Sequence, residues 1–91
     1  MENVYIGLGS SYRAIGEFEK ALEVFNKAEQ LFPIISAIKV FKSITLYNCG
    51  INDLAVSNLI KILLENTNNF DIKKFEKALL YFSEHLDEVD N

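Results

Sequence analysis

The sequence resembles itself at an offset of 34 residues, and this offset constrains the fold more than any other feature. The matching pairs are Gly16 with Gly50, Ala21 with Ala55, Phe25 with Leu59, Lys27 with Lys61, and Ala28 with Ile62. Periods of roughly 20 to 50 residues are typical of repeat proteins, in which each unit packs on its neighbours. A unit of this length accommodates two helices and a turn, so we expect a stack of helix–turn–helix units.

Apolar residues recur at spacings of three or four along nearly the whole chain, which indicates helices. Five apolar stripes can be followed: Val4, Tyr5, Leu8, Tyr12, Ile15; Phe18, Ala21, Leu22, Phe25, Ala28, Phe32; Ala37, Ile38, Val40, Phe41, Ile44, Tyr47; Leu54, Ala55, Leu59, Ile62, Leu63; and Ile72, Phe75, Leu79, Phe82, Leu86. No segment sustains the alternation of a strand. The pattern predicts an all-α fold of five helices of about 14 residues each.

The first unit has small and large residues at spacings that suit two antiparallel helices. Gly9 and Ala21 are small where the helices must approach closely, and Tyr12 and Phe25 fill the space beside them. Pro33 ends the second helix because proline cannot continue the hydrogen-bond ladder. Gly7 has no such role, and it predicts a frayed or bent start to the first helix, at a cost of about 1 kcal/mol relative to alanine.

These residues resemble the tetratricopeptide repeat, whose pattern places Leu-Gly, Tyr, Ala-x3-Phe and Pro at fixed spacings. The matched positions are Tyr5, Leu8, Gly9, Tyr12, Ala21, Phe25, Ala28 and Pro33. The stretches "GLGSSYRAIGEFEKAL", "LYNCG" and "KKFEKALLYFSEHLDE" are similar to a family of short uncharacterised bacterial tetratricopeptide repeat proteins. Members of that family usually carry one more helix pair at the N-terminus, whereas this sequence begins directly on a helix of the first type.

The resemblance implies a short right-handed solenoid that covers the whole chain as one domain. Repeat 1 is expected at about 2–35, a degenerate repeat 2 at about 36–69, a capping helix at about 71–87 and an acidic tail at 88–91. In repeat 2, Lys39, Lys42 and Ser43 stand in the slots of Tyr5, Leu8 and Gly9, which leaves the orientation of the third helix open. In the capping helix, the same slots and that of Tyr12 are expected to be taken by Phe75, Ala78, Leu79 and Phe82.

The resemblance also implies a concave groove lined by the first helix of each repeat. Its expected lining residues are Asn3, Ile6, Ser10 and Arg13 in repeat 1, and Ala37, Val40, Ile44, Tyr47 and Asn48 in repeat 2. Tyr47 is the expected aromatic anchor, with Arg13 and Asn48 as polar groups beside it. An apolar groove of this kind suits a helix or an extended peptide.

The residues give no support to an enzyme, a cofactor site or a metal site. "GLGSS" is not a phosphate-binding loop, because Tyr12 stands where the dinucleotide fingerprint needs a third glycine and too few residues precede Gly7 for a strand. His85 and Cys49 are the only histidine and cysteine, and a metal site needs three or four converging ligands. Neither Cys49 nor Ser10 has a base nearby in sequence to activate it.

Charge and composition restrict the partners to proteins. The net charge of −4 gives no general attraction to nucleic acid or to anionic membranes. No apolar run approaches the roughly 20 residues of a membrane span, and a single cysteine favours a cytoplasmic location. We therefore expect a module that binds a protein or peptide partner. The alternative is a self-association unit, such as a symmetric homodimer that buries the surfaces of the first repeat and third helix.

Overall fold

The computed structural model describes residues 1–88, and this part of the chain is helical without strands. It contains six helices: α1 (Glu2–Ala14), α2 (Phe18–Leu31), α3 (Ser36–Asn48), α4 (Asn52–Asn66), α5 (Phe70–Lys74) and α6 (Glu76–Glu84). Helices α1 to α4 form two helix–turn–helix units, with α1 against α2, α2 against α3 and α3 against α4. The all-α helical repeat predicted from the sequence is confirmed.

The two units turn in the same way, at glycines 34 residues apart in the sequence. Gly16 and Gly50 have φ angles of 82° and 80°, in the left-handed region that glycine adopts at little cost. The amide of Glu17 donates to the carbonyl of Tyr12 at 2.9 Å, and that of Ile51 donates to the carbonyl of Leu46 at 2.9 Å. These equivalent bonds close each helix with a Schellman-type ending, and both turns follow from the same glycine.

The contact between α1 and α2 depends on Gly9, which is buried against the ring of Phe25. A Cβ atom at position 9 would lie 2.5 Å from Cζ of Phe25. The ring cannot easily withdraw, because Phe25 is 1% exposed and stacks on Phe41 of α3 at a centroid distance of 5.9 Å. Ala21 and Ala28, both fully buried on the same side of α2, complete this close approach.

Helix α3 takes the same orientation as α1, which resolves the alternatives that its lysines left open. Ser43 occupies the slot of Gly9 and is fully buried, with its hydroxyl donating to the carbonyl of Lys39 at 2.8 Å. Leu46, in the slot of Tyr12, is 3% exposed. Lys42 reaches across to α2, where its ammonium lies 2.8 Å from the carboxylate of Glu29. The unusual lysine is thus accommodated by an ion pair between the repeats.

The expected fifth helix is two helices, so the predicted count of five was wrong for residues 1–88. The first helix begins earlier than Asp71, because the side chain of Asn69 accepts a hydrogen bond from the amide of Ile72 and caps α5. A tight turn at Phe75, with a bond from its amide to the carbonyl of Ile72, separates α5 from α6. Of the predicted acidic tail at 88–91, residues 89–91 lie outside the described part of the chain.

Helix α6 packs on α4 as α3 packs on α2, but it uses a different side. The side of α4 that corresponds to the α3-binding side of α2 is not the one that α6 contacts. Lys61 of α4 pairs with Glu84 at 3.3 Å, and the buried Ser57 and Leu64 share its side of the helix. Their equivalents in α2 are the exposed residues Glu23, Lys27 and Gln30. The apolar stripe predicted for α4 is therefore only partly buried: Leu54, Leu59 and Leu63 are 44%, 40% and 46% exposed.

The slots expected for α6 also differ, because no helix follows it in the described residues. Phe75 and Phe82 are 56% and 55% exposed, whereas Tyr5 and Tyr12, whose slots they were expected to fill, are half-buried against α2. Ser83, which the periodicity did not single out, is 2% exposed. The frayed start expected from Gly7 is not seen either, since α1 runs without interruption from Glu2.

Substitution of the two neighbouring glycines of α1 tests the close contact between α1 and α2. Gly9→Ala is expected to destabilise the fold, since overpacking costs about 1–3 kcal/mol and the gain in helix propensity, about 1 kcal/mol, offsets only part of it. Gly7→Ala is the matched control, because a Cβ atom there meets nothing within 4 Å. It should stabilise the helix by up to about 1 kcal/mol. Urea unfolding of both variants measures the difference, and equal stabilities would contradict the proposed contact.

Candidate partner-binding groove

Helices α1 and α3 lie side by side and contact each other, so the residues predicted to line the groove come from neighbouring helices. Ile6, Ser10 and Arg13 lie on one side of α1, because they are three or four residues apart. Tyr5, Gly9 and Tyr12 lie on a different side, which faces α2. The predicted lining residues fall into two groups. Asn3, Arg13, Ala37, Ile44 and Tyr47 are exposed, whereas Ile6, Ser10, Val40 and Asn48 are half-buried.

Arg13 and Asn48 join the two helices of the groove. The guanidinium Nε of Arg13 donates a hydrogen bond to the side-chain oxygen of Asn48 at 2.6 Å. Both residues were predicted as polar groups of the groove, from separate repeats, and the structure brings them together. The bond joins α1 to α3 near the residues at which both helices end.

Two of the apolar lining residues predicted on α3 are exposed. Tyr47 is 65% exposed and Ile44 is 38% exposed, one turn apart on the same side of the helix. Tyr47 stands next to Asn48 in sequence, so an aromatic ring and a fixed polar pair lie at the same end. Tyrosine and arginine are enriched among the residues that contribute most to protein–protein binding.

A cavity of about 330 Å³ lies outside this groove, between α2, α3 and α4. Its lining includes Lys39, Lys42, Lys61, Glu29 and Glu65. The charges of this cavity are largely compensated, because Lys42 pairs with Glu29 and Lys61 pairs with Glu84. Sequence reasoning did not identify the cavity, although Lys39 and Lys42 in usually apolar slots were the signal that could have located it.

Cys49 and His85, the residues best suited to nucleophilic or acid–base chemistry, lie in different parts of the structure. Burial raises the pKa of the Cys49 thiol above its ordinary value, and the negative charge of Glu19 raises it further. A raised pKa leaves less thiolate at neutral pH and so a weaker nucleophile. His85 stacks on Tyr81 at a centroid distance of 4.1 Å, and its Nδ1 lies 2.7 Å from the carbonyl oxygen of Tyr81.

The residues that the structure describes, 1–88, contain neither a cluster of metal ligands nor a membrane-spanning helix. Within them, no three histidine, cysteine or acidic side chains converge in a way that could hold a metal ion. None of the helices described there has both the length and the apolar character needed to cross a bilayer.

Comparison with known proteins identifies the repeat. Residues 2–34 match the family model of the tetratricopeptide repeat. The chain is also 41% identical, over 46 residues, to superkiller protein 3 of Saccharomyces cerevisiae. That alignment covers 50% of this chain and 3% of the yeast protein, so the likeness concerns the helical repeat and not the yeast protein as a whole. Membership of the bacterial family stays a prediction.

A double-mutant cycle tests whether Arg13 and Asn48 couple the two groove helices. Arg13→Ala and Asn48→Ala are each expected to destabilise the fold slightly, because both residues retain contact with water. The coupling energy is expected to be about 0.5–1 kcal/mol, the range of a charged hydrogen bond weakened by solvent. Unfolding free energies of the two single variants and the double variant supply the cycle. Additive effects would show that the bond does not hold α1 against α3.

Proposed function

Because the chain is a tetratricopeptide repeat protein, we propose that it is a non-enzymatic protein–protein interaction module that binds a peptide or helix in its concave groove. The observation that carries the proposal is the exposed Tyr47 of α3, beside the hydrogen bond between Arg13 and Asn48. Tetratricopeptide repeats generally bind proteins, and this groove combines an apolar anchor with a fixed polar pair.

The composition of the groove favours a ligand with an apolar side. Ile6, Val40 and Ile44 offer aliphatic surface, and Arg13 is the only charged residue among the predicted lining positions. A helix would place residues at spacings of three or four against this surface, with a polar or acidic group near Arg13. Two repeats provide a small contact area, so we propose a partner held by a few anchoring side chains. We place this function in the cytoplasm, in keeping with a single cysteine.

Self-association is the second candidate, and the exposed apolar residues of the first repeat favour it. Val4 and Ile15 are 65% and 74% exposed, which is costly on the surface of a small monomer. A symmetric homodimer would cover the surface of the first repeat and that of α3. In that case the groove would have no heterologous ligand.

Affinity capture with mass spectrometry separates the two candidates. A heterologous partner recovered by the unaltered chain should be lost with Tyr47→Ala, because truncation of an aromatic anchor costs about 2 kcal/mol or more of binding energy. Tyr81→Ala is the matched control, since Tyr81 is 51% exposed on α6, outside the groove. Retention of the partner by Tyr47→Ala would contradict groove binding. Recovery of the chain alone would favour self-association.

A further inference from the structure

The internal junction between the repeats provides a template for the two end faces of the described helices α1 to α4. At this junction α3 packs on α2 and α1, and it does so through three side-chain pairs. Glu29 pairs with Lys42 at 2.8 Å, Phe25 stacks on Phe41 at 5.9 Å, and Arg13 bonds Asn48 at 2.6 Å. Ile38 and Thr45 are fully buried there.

The repeat offset places the equivalents of these residues at opposite ends of the molecule. The residues equivalent to the α3 side of the junction form a leading face on α1: Val4, Gly7, Leu8, Ser11, Ala14 and Ile15. At the junction, α1 and α2 form the other side. The residues equivalent to that side form a trailing face: Tyr47 on α3, with Val56, Leu59 and Leu63 on α4. All of these residues are exposed.

The two end faces differ from the internal junction at matching slots. The slots of Lys42 and Glu29 hold Leu8 and Leu63, each 46% exposed. Thus both charges of the ion pair are replaced by leucine, one at each end. The polar pair changes in the same manner, because the slots of Asn48 and Arg13 hold Ala14 and Tyr47. Leu8 is the residue that the repeat pattern expects in its slot, so the internal junction, with Lys42, is the departure. The two end faces carry matching apolar residues in these slots, as two surfaces that contact each other require.

The sizes of the residues are complementary as well. Gly7 stands in the slot of Phe41, opposite the slot that Leu59 occupies in place of Phe25. Ala14 is small where Tyr47 is large. A Cβ atom at Gly7 would meet nothing within 4 Å, so the surface there is open. None of the residues named on the two faces is charged, and contact between these side chains would bury no unpaired ion.

We propose that copies of this chain stack head to tail, with the trailing face of one copy on the leading face of the next. The contact repeats the geometry of α3 on α2, with Leu63 against Leu8 in place of Glu29 against Lys42. Helix α6 packs on the Ser57 and Lys61 side of α4, away from the trailing face. Such a contact is heterologous, so it does not close after two copies and the assembly grows with concentration.

The charges of the internal junction supply the test. Leu8→Lys and Leu63→Glu each bury one unpaired charge in the contact and are expected to lower the association constant at least about tenfold. A mixture of the two variants restores assembly, because in alternating copies every contact either pairs the two introduced charges or keeps both leucines. Leu80→Glu on α6, at 39% exposure, is the matched control and should assemble like the unaltered chain. Sedimentation velocity from micromolar to high-micromolar concentration measures the mass.

Three results would overturn the proposal: an unaltered chain that stays monomeric, a mass that stops at two copies, or a mixture that remains dispersed. Circular dichroism confirms that each variant is folded, and if Leu8→Lys unfolds, assembly of Leu63→Glu that equals that of the unaltered chain would overturn the proposal. Leu8 and Leu63 lie outside the groove. Failure of this test therefore leaves the proposed ligand binding untouched. Tyr47 belongs to both the groove and the trailing face, so the stacking is tested only at Leu8 and Leu63 and not with Tyr47→Ala.

Discussion

The contact between Gly9 and the ring of Phe25 is the constraint on which the rest of the structure depends. It sets how closely α1 and α2 approach, and it fixes the position of a ring that also stacks on Phe41 of α3. One side chain thus connects three helices. Because interiors are close-packed, a displacement of this ring would be transmitted to both α1 and α3.

The architecture could be predicted from the sequence because the residues that define the first repeat are close together in the chain and have characteristic spacings. Gly9, Ala21 and Phe25 are related by helix geometry alone, and the left-handed turns follow from single glycines. The orientation of α3 could not be predicted in this way. Lys42 stands in a usually apolar slot, and the ion pair that accommodates it has its partner, Glu29, in another helix. Periodicity does not reveal such pairs.

The C-terminal region shows the limit of the repeat pattern more sharply. The apolar stripe of α4 predicted that Leu59 would be buried like its equivalent Phe25, yet α6 covers Ser57 and Leu64 instead. Which side of α4 is buried depends on where the following helix packs. Here the cap at Asn69 and the turn at Phe75 direct α6 to a side of α4 that the repeat pattern did not predict. In the groove, spacing predicted which residues share a side, but the direct bond between Arg13 and Asn48 is a tertiary contact across 35 residues.

The ion pair at the internal junction also contributes to the specificity of repeat order. Suppose that α1 took the place of α3 against α2. Leu8 would then face Glu29, and a half-buried carboxylate would lose its partner. An unpaired charge in such a position costs more than the pair itself contributes, so the arrangement is disfavoured. The same reasoning applies to Lys42 against Leu63. An end face therefore does not replace a partner at the internal junction without leaving a charge unpaired. This difference in charge keeps the internal junction distinct from the contact between end faces.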